Sequence, residues 1–174
     1  MSTLIVENLK GLSSGANANK IIIPSGQTID TSAGTLVPSA GQVVQQVFKT
    51  SGNTNSTTST SYVATDTSVS ITPLYSNSNM LIFFSGTAYS ATTGGWRGRI
   101  FKNGVQWSGD TSDDLNAYLN TSTEVGSIGG RVEVDENVNT TSPITYAYYM
   151  KKAGSSGLAY WYRNTCIVVQ EIKQ

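Results

Sequence analysis

The sequence predicts an all-β chain, an antiparallel sandwich or jelly roll in its larger C-terminal part behind a short β-rich N-terminal segment. Short β-branched and aromatic runs recur from end to end, each broken by Gly, Pro, Asn or Ser. No stretch holds apolar residues at the three- and four-residue spacing of an amphipathic helix. Only 13% of residues are charged, a polarity that would suggest disorder in a Ser- and Thr-rich chain, but 9 Tyr and 3 Trp favour half-buried strands.

The segment 1–48 differs from the rest, because it has no aromatic residue before Phe48 and its apolar pieces are very short. Ile21-Ile22-Ile23, Thr28-Ile29, Thr35-Leu36-Val37 and Gln42-Val43-Val44 are separated by Pro24-Ser-Gly26, Ser32-Ala-Gly34 and Pro38-Ser-Ala-Gly41. Each small strand ends at a turn of small residues, so too little apolar area exists per unit for a core of its own, and neighbouring copies must supply the rest. A flexible linker has no use for an isoleucine triplet. The segment therefore reads as an intertwined shaft or anchor, with Ile21, Ile22, Ile23, Ile29, Leu36 and Val37 as its attachment residues. Three copies closing around one axis would bury them, which makes a homotrimer the expected assembly.

From Val43 to Lys49 the chain reads as a first strand, and Thr50 to Thr60, without an apolar residue, as a long exposed loop. Across 49–174 further strands are expected at Tyr62-Val63, Val69–Ile71, Leu81–Phe84, Arg99–Phe101, Arg131–Val134, Ile144–Met150 and Cys166–Ile172. Asn103-Gly104 predicts a two-residue hairpin. Val132 and Val134 alternate with Arg131, Glu133 and Asp135, which predicts valines inward and charges in water. Tyr146 and Tyr148 should face one way and Tyr149 the other. Gly94–Gly98 and Gly126–Gly130 read as turns or bulges, because neither has the Lys-Ser/Thr ending of a phosphate loop.

Composition narrows the chemistry. The 11 basic and 11 acidic residues cancel, so no long-range field draws the chain to nucleic acid or an anionic membrane. Histidine is absent, which removes the commonest general base and metal ligand, and an enzyme is not expected. The lone Cys166, within Cys-Ile-Val-Val, reads as a small buried hydrophobe. Met1–Glu7 lacks the basic and apolar regions of a signal peptide, and the apolar run Met80–Phe84 is far too short to cross a bilayer as a helix. Asp110, Asp113 and Asp114 form the densest acidic cluster and lack the calcium-loop pattern; with Asp135 and Glu136 they read as solvated loop charges, not as a glycosidase pair. No cofactor or metal is expected. Trp96, Arg97, Trp107, Tyr160, Trp161 and Tyr162 combine flat apolar faces with hydrogen-bond donors, the means by which a surface grips a sugar or another protein. Closing the sandwich ends or packing at a subunit interface is the competing role for the tryptophans.

The opening Ser2-Thr-Leu-Ile-Val-Glu-Asn-Leu-Lys-Gly-Leu, with Asn19-Lys-Ile-Ile-Ile-Pro-Ser-Gly-Gln-Thr-Ile-Asp and Gly34-Thr-Leu-Val-Pro-Ser-Ala-Gly-Gln-Val-Val-Gln, resembles the N-terminal region of small tail-fibre-like virion proteins of marine bacteriophages and cyanophages. The stretch Thr58–Thr72, Arg99-Ile-Phe-Lys-Asn-Gly and Ile167-Val-Val-Gln-Glu-Ile-Lys resemble their C-terminal domain. The resemblance covers nearly the whole chain through short, low-complexity pieces. It implies a jelly-roll-like fold, trimers and a place on the virion, so other tail or capsid proteins are expected partners; the aromatic residues named above make a host-surface glycan a further one. It leaves open tail or head: a short fibre or receptor-binding subunit, or a capsid decoration protein.

Overall fold

The computed structural model describes residues 13–16, 18, 20–28, 37–90, 94–107, 115–119, 124–153, 158–161 and 164–174; for 89–90, 94, 115–119, 124–130 and 161 only the backbone is described. The chain divides into two units, Met1–Val37 and Pro38–Gln174. In the first, Gln27 N–H closes a turn on the Pro24 carbonyl (3.1 Å), and Ile21, Ile22 and Ile23 lie exposed with no strand among the described residues. Their small strand was expected and is not formed, since no second strand among the described residues pairs with them. The sequence division at 48 falls inside the first strand of the second unit.

That unit is all-β, with no helix among the described residues. Its strands are β1 Val43–Thr50, β2 Asn55–Thr57, β3 Val63–Ile71, β4 Asn79–Ser90, β5 Gly94–Lys102, β6 Val105–Gln106, β7 Leu115–Leu119, β8 Glu124–Asp135, β9 Ile144–Ala153, β10 Ala159–Trp161 and β11 Cys166–Ile172. They form two sheets in which every pairing is antiparallel. In the first sheet β4 is the spine. β8 runs along one side of it, while β11 and then β10 share the other, flanked by β1 and β2 respectively. In the second, the order is β3, β9, β5, with β6 and β7 sharing the outer edge of β5. From β3 onward the chain passes between layers repeatedly, and β1 meets β3 across the sandwich while β7 meets β8.

Alternation fixes which side chains fill the gap. Met80, Ile82 and Phe84 of β4, Ile167 and Val169 of β11, and Ile144, Tyr146, Tyr148 and Met150 of β9 all point between the sheets. Phe84 stacks on Tyr148 across the layers, with ring centroids 4.3 Å apart. Tyr146 and Tyr148 are inward and Tyr149 outward, as expected from their spacing. Asn103 and Gly104 both have positive φ (51° and 77°) between the paired Lys102 and Val105, the mirror-image turn that Asn-Gly favours.

Four local expectations are corrected. The polar stretch Thr50–Thr60 carries β2 and a buried Ser51, because Ser51 Oγ (2.6 Å), Asn55 Nδ2 (2.6 Å) and Asn53 Nδ2 (3.2 Å) donate to the Asp66 carboxylate and satisfy one another. Gly94–Gly98 is the start of β5, neither a turn nor a bulge, whereas Gly126–Gly130 meets its expectation: it lies within β8, whose register shift opposite Phe84 and Gly86 inserts an extra residue as a bulge. Cys166 is half-buried on the outer side of β11, since Ile167 and Val169 take the inward positions. Val132 and Val134 also face outward, at 53% and 45% exposure, and Arg131, Glu133 and Asp135 face the core side.

Candidate functional site

The two outer faces of the sandwich differ in chemistry, and the difference follows from the strands' register. On the second sheet, Arg97 stands opposite Lys151, Arg99 opposite Tyr149, and Phe101 opposite Ala147. Phe101 stacks on Tyr149 with centroids 3.9 Å apart, Tyr62 meets Phe101 edge-on at 5.6 Å, and Lys151 Nζ lies 4.2 Å from the Tyr62 ring centre. Arg99 reaches the same ring at 5.9 Å. These rings and cations, gathered on adjacent strands, combine flat apolar surface with donors. On the same face the Ser70 and Thr145 hydroxyls lie 2.7 Å apart.

On the first sheet the described outward rungs are uncharged, and the central one is apolar. Phe48, Val168, Phe83 and Val132 stand side by side across β1, β11, β4 and β8, and the next rung reads Gln46, Gln170, Leu81, Val134. Gln170 Nε2 donates to Gln46 Oε1 (2.7 Å). Phe48 is 68% exposed, and a shallow hollow beside the central rung is lined by Phe83, Ser85, Val132, Cys166 and Val168 together with Phe84 and Arg131. The outward positions of these rungs hold no Lys, Arg, Asp or Glu.

The core-facing rungs explain why β8 turns its valines out. Gln45, Glu171, Met80 and Asp135 form one; Val47, Val169, Ile82 and Glu133 the next; Lys49, Ile167, Phe84 and Arg131 the third. Each ends at β8 in a charge. Arg131 pairs with Glu133, and Asp135 accepts the Tyr146 hydroxyl and lies 2.6 Å from Lys102 Nζ. Burial, reinforced by Asp135, pushes the Tyr146 hydroxyl far above its ordinary range, so it stays a donor. Glu171 is fully buried, yet it accepts from Leu74 N–H (2.9 Å), Tyr75 N–H (3.0 Å), Ser78 Oγ (2.6 Å) and Gln45 Nε2. Burial alone would raise its pKa; these donors outweigh that and hold it below the ordinary carboxylate range. The Ser51, Asn55 and Asn53 donors likewise overcome burial and lower Asp66.

The predicted contact residues scatter. Trp96 is in the core at 1% exposure, and Trp107 is buried with its ring edge-on to Tyr146 at 6.2 Å, so both indoles close the sandwich interior. Arg97 is exposed on the cationic face. Tyr160 is half-buried in β10 opposite Tyr89 and Ser56; the Trp161 side chain and all of Tyr162 lie outside the described residues. Of the attachment residues, Ile21, Ile22, Ile23 and Val37 are exposed, and Ile29 and Leu36 lie outside the described residues, as do Asp110, Asp113 and Asp114. Sequence reading missed Tyr62, Phe101, Tyr149 and Lys151, and missed the uncharged outer rungs. Phe48 beside Gln46 in a strand whose Val47 faces the core was the one available signal for the latter.

Among the described residues no three His, Cys, Asp or Glu side chains cluster as metal ligands, and no helix is long and apolar enough to cross a membrane. No protein-family model and no curated protein matches the chain.

Proposed function

We propose that this chain is a non-enzymatic structural subunit of a bacteriophage virion, a short tail fibre or adhesion subunit that works as a homotrimer. The strand order carries the reading. With the split strands counted together, one layer runs β1/β2, β11/β10, β4, β8 and the other β3, β9, β5, β6/β7. Two layers of four strands, with the chain crossing repeatedly between them, support a jelly-roll reading, the architecture shared by viral capsid and lectin domains. Shaft and anchor roles belong to the N-terminal unit, where Ile21, Ile22 and Ile23 lie exposed.

The face around Tyr62, Tyr149, Arg99 and Lys151 is the surface this reading gives to a host-cell glycan, since rings pack against sugar C–H faces and cations donate to sugar oxygens. The absence of histidine supports a binding role, and so does the use of the buried carboxylates Asp135 and Glu171 as acceptors within the fold. Antibody against the purified chain, imaged on intact particles, tests the proposal: label at the tail tip is expected. Label on the head would make it the decoration subunit, and particles that carry none would overturn the virion role.

A further inference from the structure

We infer that the outer face of the first sheet, around its uncharged described rungs, is the surface through which copies of this chain associate, with the rung Phe48, Val168, Phe83, Val132 at its centre. This rests on the oligomeric reading above and adds to it the surface used. The alternation of β8 is the starting point. A strand with valines at every second position ordinarily turns them to the core, but here charged residues occupy the core-facing positions and Val132 and Val134 remain about half exposed. The strand thus has two covered sides only if something lies on the valines.

The identity of that cover follows from charge, shape and area. The net charge of the chain is zero, and the two described outward rungs hold no ion, so copies can meet there without repulsion and without burying an unmatched charge. The second sheet, with Arg97, Arg99 and Lys151 outward, would place like charges together if it were used instead. Phe48 projects from β1 at one side of the face, and the apolar hollow at Phe83, Val132, Cys166 and Val168 lies toward the other. With the knob at one side and the hollow toward the other, Phe48 of one copy can enter the hollow of the next, the heterologous contact that closes a ring of three. Four strands about 4.8 Å apart and seven residues of about 3.3 Å give a flat area of about 440 Å². Its corrugated accessible surface is larger, close to the roughly 600 Å² per partner of the smallest stable interfaces. A patch of this size lies among the largest that soluble monomers expose, and such patches are often functional. Edge pairing is disfavoured, because Arg131, Glu133 and Asp135 turn inward along β8, a device that keeps a sheet edge from adding strands.

The test uses the whole chain and three variants, Phe48→Lys, Val132→Lys and, on the opposite face, Ser68→Lys. Mass from light scattering is read alongside circular dichroism and the rate at which Cys166 reacts with a maleimide. The wild-type chain and Ser68→Lys are expected to be trimers with a slowly reacting thiol. Phe48→Lys and Val132→Lys should keep the wild-type spectrum, associate about 30-fold or more weakly, and expose Cys166 to faster labelling. Because Phe48 and Val132 are exposed in the single chain, their replacement leaves the core untouched. If both variants remain trimers with a protected thiol, this face is not the interface, while the oligomeric reading stands. A folded wild-type monomer at micromolar concentration, labelled as fast as the variants, would overturn both.

Discussion

Gly98 admits no side chain, because the Tyr148 ring lies across its α-carbon from the neighbouring strand. A Cβ built there would come within 1.3 Å of the Tyr148 hydroxyl oxygen and 2.0 Å of its Cζ. Tyr148 is fully buried and stacked on Phe84, so it has no room to withdraw. Gly98→Ala is therefore expected to cost about 3 kcal/mol and to lower the thermal midpoint by roughly 10 °C, measured by calorimetry. Adding Tyr148→Phe should restore little, since the ring carbon still collides; adding Tyr148→Leu should restore more. In the sequence this glycine was indistinguishable from its neighbours in Gly94-Gly-Trp-Arg-Gly98, and the whole stretch read as a turn or bulge. The need for a bare α-carbon arises from a residue fifty positions away, which local composition does not record.

At the scale of elements, strand positions were legible wherever apolar residues alternate with polar ones, as in β9 and β11. The short strands β2, β7 and β10 were not, because each is fixed by the strand beside it and not by its own pattern; β6 was legible only through the Asn-Gly turn before it. Which face of β8 is inward was misread for a related reason: alternation gives a period, and the partner strand gives the sign. Glu171 shows a third limit. In Cys166–Ile172 it looks like a surface residue, but it ties together β11, Gln45 of β1 and the backbone at Leu74 and Tyr75. Glu171→Gln should cost about 2 to 4 kcal/mol, because donors aimed at a carboxylate lose an acceptor. The pH dependence has a definite sign. The folded pKa is lowered, so below the ordinary glutamate range of about 4.3 the unfolded chain binds the extra proton and gains on the folded one. Stability should be full near neutrality and fall as the pH drops through that range. Urea midpoints between neutral and acid pH should show a shallower fall in Glu171→Gln, the remainder coming from Asp66, whose shift has the same direction.

For the whole molecule, the second unit is self-sufficient from Pro38 onward. Gly41 N–H donates to the Lys173 carbonyl (2.7 Å), Lys173 N–H to the Gln42 carbonyl (3.0 Å) and Lys173 Nζ to the Pro38 carbonyl (2.6 Å). A chain beginning at Pro38 is expected to keep the melting temperature of the full chain within a few degrees and to fail to incorporate into particles. Starting at Val43 instead should cost stability, because the Gly41, Gln42 and Pro38 bonds are lost. Normal incorporation of the Pro38 chain would move the anchor into the sandwich.

Those same bonds bring the two ends of the unit side by side, with β1 entering and β11 leaving at one pole and their antiparallel ladder running away from it. If the particle holds the chain through its N-terminal unit and a cell pulls from the far pole, the load runs along β1 and strains the rungs of that ladder together. Rupture then requires many hydrogen bonds to fail at once, instead of one after another as in peeling. A tether attached at Gln174 would enter at the same pole and meet the same resistance, so the joint is built to withstand shear from either terminus.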